Sequence, residues 1–201
     1  GEGADELLGG YNIFKEAQIR HFWAKQPDSK IRPLLLKKLY PYLPQLSKSN
    51  PTVLKMFFGY KLDQTDSPAY SHLLRWHNTS RIKHYLSDTY KKSIGDYDPA
   101  KEFEEALTSK LQGCDYLTKA QYIEISLFLS GYLLSSQGDR MAMANSVEGR
   151  YPFLDYRVIE FCMKLSPDLK LNGLNEKYLL KKMIKNRIPE SILNRPKQAY
   201  R

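Results

Sequence analysis

The sequence predicts a mostly α-helical chain, on three observations. Apolar residues recur at helical spacing, most clearly over residues 117–135, where Tyr122, Ile125, Leu129 and Leu133 share one stripe and Ile123, Leu127 and Leu134 widen it. No segment alternates apolar and polar residues as a half-buried strand does, so at most one or two short extended pieces are expected. Prolines and capping side chains punctuate the sequence at helix-length intervals: Pro27, Pro41, Pro44, the pair Asp98-Pro99, Asp155 and Pro189.

Residues 6–25 read as a first helix entered from a Gly-rich loop. Gly9-Gly10 near its start costs about 1 kcal/mol per glycine relative to alanine, and glycines at such places mark close approach of another backbone or a ligand. Residues 31–39 form a short helix with Pro33 in its first turn, stopped by Pro41 and Pro44. Residues 41–68 are turn-rich and aromatic, with one short helix over 53–58. Further helices are expected over 72–77 and 82–93, and Asp98-Pro99 caps another that runs to 111. The 117–135 segment is the clearest core helix, and Glu124 is its only charge after Lys119, which places it centrally. A helix or helix-turn over 139–147 ends before Pro152, and Asp155 caps the helix 156–165. A basic helix over 177–186 and a short one over 189–193 complete the chain.

The 201 residues suffice for one ordinary domain, or most of one, with a real core. No run approaches the roughly 18 apolar residues that span a bilayer, and the acidic opening residues carry no secretory signal. Cys114 and Cys162 lack ligand-like spacing, which argues against a zinc site or a disulfide scaffold and for a reduced, cytoplasmic setting. The net charge of +9 invites a nucleic-acid partner. The basic residues are nevertheless spread along the chain in short doublets, as on a solvated face; a site for a polyanion such as ATP is another use for them. The chain opens inside a loop without Met and stops at Ala199-Tyr200-Arg201 after a proline-basic turn, so it reads as a piece of something longer.

Three stretches carry chemistry. In Gly1-Glu2-Gly3-Ala4-Asp5-Glu6, glycines allow close backbone approach while three carboxylates crowd six residues. Carboxylates repel a phosphate unless a cation lies between them, so one reading is Mg²⁺ bridging a carboxylate and phosphate oxygens, with a second carboxylate as general base. The other is a glycine turn followed by ordinary acidic residues of a helix start. The second stretch, 135–155, packs Asp139, Arg140, Glu148, Arg150 and Asp155 among small and apolar residues. Such charges are expected to be paired and partly buried. Arg140 and Arg150 could clamp carboxylates; for Arg150 and Asp155 a structural ion-pair network is favoured, and Met141 and Met143 read as packing. The third joins Lys177 to Lys197, which turns at Pro189 and Pro196 could fold toward one anion. Lys181, Lys182 and Lys185 read as surface.

Together these stretches resemble the synthetase domain of glutamine-hydrolysing asparagine synthetases. Gly1-Glu2-Gly3-Ala4-Asp5-Glu6 with Gly9-Gly10-Tyr11 is similar to their S-G-E-G-(S/A)-D-E-x-x-G-G-Y loop. Asp139-Arg140-Met141-Ala142-Met143-Ala144-Asn145-Ser146-Val147-Glu148 with Pro152-Phe153-Leu154-Asp155 is similar to their D-(R/K)-M-(S/A)-M-A-x-S-x-E and PFLD stretch. Lys177-Tyr178-Leu179-Leu180 and Arg195-Pro196-Lys197 are similar to their K-x-L-L-(R/K) and R-x-K endings. Residues 26–115 carry no motif of the family.

The resemblance implies that residues 1–201 are part of an asparagine synthetase domain, the C-terminal helical part of an α/β adenine-nucleotide-hydrolase-like (PP-loop ATP pyrophosphatase) fold. It implies ATP and Mg²⁺ as cofactors, with aspartate and ammonia from glutamine as the other substrates. By position, Glu2 matches the base that deprotonates ammonia, Asp5 a Mg²⁺ ligand, Lys177 a holder of pyrophosphate, and Lys197 a stabiliser of charge near the α-phosphate and the oxyanion. The β-lactam-forming relatives carry tyrosine at the place of Glu2, which favours the asparagine branch. The S-G-G-x-D-S phosphate loop, a second Mg²⁺ aspartate and the glutaminase cysteine are not in this sequence, so the piece alone is expected to be inactive and an N-terminal glutaminase domain of the same parent chain is its expected partner. A homodimer stays open; nucleic acid and membrane are not expected. The rival readings are a related ligase acting on another carboxylic acid, from an antibiotic or cell-surface pathway, and a non-catalytic or RNA-binding module.

Overall fold

The computed structural model describes residues 1–198; the closing Ala199-Tyr200-Arg201 lies outside the described residues. At the centre is the helix Asn12–Ala24. Its Ile13 and Phe14 pack on Leu117 and Ala120 of the helix Tyr116–Ile123 and on Leu171. Its Ile19 and Trp23 pack on Leu36 of the 3-10 segment Arg32–Lys38, on Leu54 and Phe58 of the helix Pro51–Phe58, and on Leu74 of the helix Tyr70–Ser80. A third cluster, Ala69, Leu73, Leu107, Leu111 and Ile123, ties Tyr70–Ser80 to the helix Pro99–Thr108. Each large apolar side chain so buried contributes about 1.5–3 kcal/mol.

Charges enter this core only in partnership. Arg20 is fully buried and donates to the Tyr60 carbonyl at 2.6 Å and the Tyr70 carbonyl at 3.2 Å, with its guanidinium 4.3 Å from the Tyr70 ring centre. Glu16, one turn earlier, accepts from both terminal nitrogens of Arg75 at 3.1 Å and from the Tyr40 hydroxyl at 3.2 Å. An isolated buried charge would cost several kcal/mol, and these contacts offset part of that cost.

Helices announced by local caps form where expected. Asp98 accepts from the Ala100 N–H at 3.0 Å and opens Pro99–Thr108, and Asp155 accepts from the Arg157 N–H at 2.9 Å and opens the helix Tyr156–Lys164. Elsewhere the chain departs from expectation. The helix expected over 6–25 is two, a single turn Ala4–Leu7 and Asn12–Ala24, because Gly9 at φ 67° redirects the chain. The segment expected as a helix over 31–39 is 3-10. The one expected over 82–93 divides into a 3-10 turn Arg81–Tyr85 and a helix Asp88–Ile94, restarted by the Ser87 cap. Residues 117–135 begin as the α-helix Tyr116–Ile123 and continue as a π-helical run Glu124–Asp139. Bonding from i to i+5 widens the turn, so side chains three apart no longer share a face. Glu124 and Leu129 are buried there, but Leu127, Phe128 and Tyr132 are nearly half exposed, so this element is core only in its first part.

Among the described residues the only strands are Leu171–Asn172 and Asn175–Glu176, antiparallel, with Leu171 opposite Glu176. The chain is thus mostly helical, and no parallel sheet occurs among the described residues. No helix among them is long and apolar enough to cross a membrane.

Candidate active site

The acidic loop is held from behind by the core. Gln121 is fully buried; its Nε2 donates to the carbonyls of Glu6 at 2.5 Å and Leu7 at 2.9 Å, and its Oε1 accepts from Lys170 Nζ at 3.2 Å. Carbonyls at the end of the Ala4–Leu7 turn, which a longer helix would satisfy itself, thereby find a partner. Gly3, at φ 89°, packs against Phe153 and Leu154, so that a Cβ would collide with the Leu154 side chain; the first and second motif stretches meet here. Glu6 points into the core and accepts from the Tyr11 hydroxyl at 2.6 Å. Burial outweighs that hydrogen bond and pushes the Glu6 carboxyl above its usual range, while burial and the bond to Glu6 both push the Tyr11 phenol up.

Asp5, beside Glu6, turns the other way. Its Oδ1 lies 2.8 Å from Lys177 Nζ and its Oδ2 3.0 Å from Lys197 Nζ, with the carboxylate 13% exposed and the two lysines 23% and 24%. Gly10 lies against this pair, and a Cβ there would run into the Asp5 carboxylate and Lys177 Cε. Lys177 sits at φ 53° and its N–H donates to the Leu8 carbonyl at 3.1 Å. Lys197 Nζ also stands 5.5 Å from the Tyr11 ring centre, within cation–π range. Behind them Glu176 pairs with Lys15 at 2.5 Å and Lys181 at 3.3 Å, and accepts from the Lys197 backbone N–H at 3.1 Å. Burial alone would raise the Glu176 carboxyl, but the Lys15 bond and the charges of Lys15 and Lys181 hold it below its usual range. Four ammonium groups thus surround two carboxylates, and the surplus is positive.

Glu2, Asp5, Lys177 and Lys197, the four residues singled out from the sequence, all line one cavity of about 890 Å³. Its wall also includes residues that sequence reasoning missed. His72 has Nε2 3.1 Å from Glu124 Oε1 and Nδ1 2.8 Å from Ser71 Oγ, and Arg75 sits beside it, held by Glu16. His72 and Arg75 come from the stretch in which no motif was read. Glu124, a lone charge on an apolar helix, was the one signal that a buried partner was needed.

Other expectations are corrected. Lys181 is not free surface but is tied to Glu176 and to Asn175 Oδ1, whereas Lys182 and Lys185 are exposed as expected. Of the charges in the second stretch, Glu148, Arg150 and Asp155 are ion-paired, and only Asp155 is partly buried. Arg150 pairs with Glu148, both side chains about three-quarters exposed, and Arg157 pairs with Asp155 at 2.8 Å. The Arg157 hydrogen bonds push the Asp155 carboxyl down to about 2. Arg140 pairs with no carboxylate among the described residues. Cys114 and Cys162 are both free.

No group of three or more His, Cys, Asp or Glu side chains is placed to hold a metal among the described residues. Asp5 can lend one carboxylate. Magnesium commonly takes one or two carboxylates and completes its shell with phosphate oxygens and water, so the donors fit Mg²⁺ carried on a phosphate ligand better than a bare ion. Lys177 and Lys197 stand where such phosphates would need counter-charges.

A family model for asparagine synthase matches residues 1–201. The chain is 30% identical over 203 aligned residues to asparagine synthetase (glutamine-hydrolyzing) 1 of Bacillus subtilis, covering 100% of this chain and 29% of that protein. It is 28% identical to amidase chyE of Penicillium rubens, over 100% of this chain and 31% of the relative, and 24% identical to asparagine synthetase (glutamine-hydrolyzing) 3 of Bacillus subtilis, over 100% and 25%. The chain therefore spans less than a third of the length of these relatives. No solved structure gives a significant match. With the acidic glycine loop, the Phe153-Leu154 contact and the two converging lysines joined in one site, and a family match over its whole length, the chain belongs to the asparagine synthase family.

Proposed function

We propose that this chain is part of an ATP-dependent, AMP-forming amide ligase that converts aspartate to asparagine with ammonia released from glutamine. The observation that carries the reading is the convergence of Lys177 and Lys197 on Asp5 in the cavity that Glu2 also lines. In the first step an oxygen of the aspartate side-chain carboxylate attacks the α-phosphorus of ATP and pyrophosphate leaves, giving β-aspartyl-AMP. In the second, ammonia attacks the acyl carbon, the bond to AMP breaks, and the nitrogen loses a proton. Glu2 accepts that proton as general base. Lys197 stabilises charge on the α-phosphate and then on the oxyanion, and Lys177 holds the departing pyrophosphate; preorganised charges of this kind are typically worth about 3–4 kcal/mol each. Asp5, which engages both lysines, would be the carboxylate that holds Mg²⁺, and Lys177 and Lys197 would supply counter-charges to the phosphates. Bound Mg²⁺ would supply charge neutralisation on the phosphate oxygens.

The test is pyrophosphate release by the complete protein with Mg-ATP, ammonia and a panel of carboxylic acids, comparing wild type with Asp5→Asn and Glu2→Gln. Aspartate-dependent release is expected. Asp5→Asn should abolish it, while Glu2→Gln should impair amide formation more than adenylation. ADP in place of AMP, or release with no acid, would overturn the reading. One observation favours a second reading: a relative named an amidase aligns over the whole chain at 28% identity, between the two synthetases at 30% and 24%. Release with another acid alone would establish a ligase of that substrate.

A further inference from the structure

Lys177 and Lys197 stand twenty positions apart, the first on a left-handed turn and the second in a segment without regular secondary structure. Long lysine side chains reach a single anion only when their backbones are fixed. One side chain touches every element that would have to be fixed. Glu176 is 4% exposed and belongs to the strand Asn175–Glu176, directly before Lys177. Its Oε2 pairs with Lys15 at 2.5 Å, which anchors it to the central helix Asn12–Ala24. Its Oε1 takes the Lys197 backbone N–H at 3.1 Å and the Lys181 ammonium at 3.3 Å, so it also grips the terminal segment and the helix Tyr178–Ile184. The carboxylate does not line the cavity and touches neither Asp5 nor the reacting face.

We propose that Glu176 is a positioning residue, which clamps the backbone of the Lys197 segment to the central helix and so holds Lys197, with Lys177 beside it, at the phosphate end of the cavity. This rests on the ligase reading for its catalytic consequence but not for its geometry. Glu176→Gln keeps the shape and one acceptor oxygen but gives up the charge that Lys15 and Lys181 share with the clamp.

Two readouts test it on the complete protein. In competitive labelling with an amine-reactive reagent followed by mass spectrometry, Glu176→Gln should raise the labelling rate of Lys197 about fivefold or more, as a half-buried, paired amine becomes mobile. Lys101, whose side chain is 76% exposed, should label unchanged as the internal control. In pyrophosphate release, Glu176→Gln should lower kcat about 10- to 100-fold, the cost of a misplacement on the order of 1 Å. In a Lys197→Ala background the same substitution should change kcat by less than about twofold, because residues acting through one another are not additive. Unchanged Lys197 labelling, or losses that multiply in the double variant, would overturn the proposal. Failure of Glu176→Gln to fold would overturn it too, since the carboxylate would then serve the fold as a whole. Raised labelling in a protein that releases no pyrophosphate with any acid would instead sink the ligase reading and leave the clamp standing.

Discussion

The acidic loop with its lysines and the 135–155 stretch resemble the family with similar specificity in sequence, yet the folded chain treats them in opposite ways. Around Asp5 the charges are largely buried and several have partners distant in sequence: Lys15 with Glu176, and Lys177 and Lys197 with Asp5. In 135–155 and just beyond it, the pairs are exposed and local, Arg150 with Glu148 and Arg157 with Asp155, and Met141, Met143 and Val147 stand open. A motif therefore says which residues matter, and the number of distant partners says which of them the chain itself holds in place. Exposed local pairs order little, whereas a buried group with several partners fixes every element it touches.

The contrast can be broken first at Gln121. Gln121→Leu leaves two carbonyls and the buried Lys170 ammonium without their partner. It should destabilise the protein by about 3 kcal/mol, read by chemical denaturation, while Phe128→Ala in the exposed run should cost under about 1 kcal/mol. Gly10→Ala comes next. Its Cβ must displace the Asp5 carboxylate or Lys177, so activity should fall about 100-fold, as for a misplacement on the order of 1 Å, with a much smaller change in unfolding midpoint. A subtler difference lies in pH. His21, on the central helix between the rings of Tyr70 and Tyr116, is pushed down to about 4 from its ordinary 6.5 by burial and then by the Arg20 charge. The unfolded chain takes up that proton near pH 6.5 and the folded chain only near pH 4, so this contribution to stability is complete above pH 6.5 and is lost as the pH falls toward 4. His21→Phe, which keeps the ring contacts, should flatten the slope of stability in that window. Smallest of all, Arg150→Ala should leave the unfolding midpoint where it was.

Much of this was readable in the sequence where the cause is local. The caps at Asp98 and Asp155 depend on one side chain and the next few N–H groups, so their helices begin where the residues say. Gly9 signalled a break that the apolar spacing concealed, and the π-helical run left no trace, because wider winding changes which residues face the core without changing their identities. The candidate site divides the same way. Glu2, Asp5, Lys177 and Lys197 were accessible through resemblance, and their joint presence in one cavity is what the structure adds. Glu176, Gln121, Lys15 and the Glu16–Arg75 pair were not, since a charged or amide residue in a sequence reads as surface until a partner far along the chain buries it.

The Asp5–Lys197 bond spans 192 positions. During synthesis at about 5–20 residues per second, the first of these residues waits on the order of 10–40 s for the last. Gln121, 115 positions after Glu6, emerges well before Lys197 does. The back of the loop thus has its brace available long before the front has its counter-charges, and Asp5 spends that interval as an unneutralised carboxylate. Completion of the Asp5 site consequently waits for Lys197, the later partner in a contact that spans most of these residues.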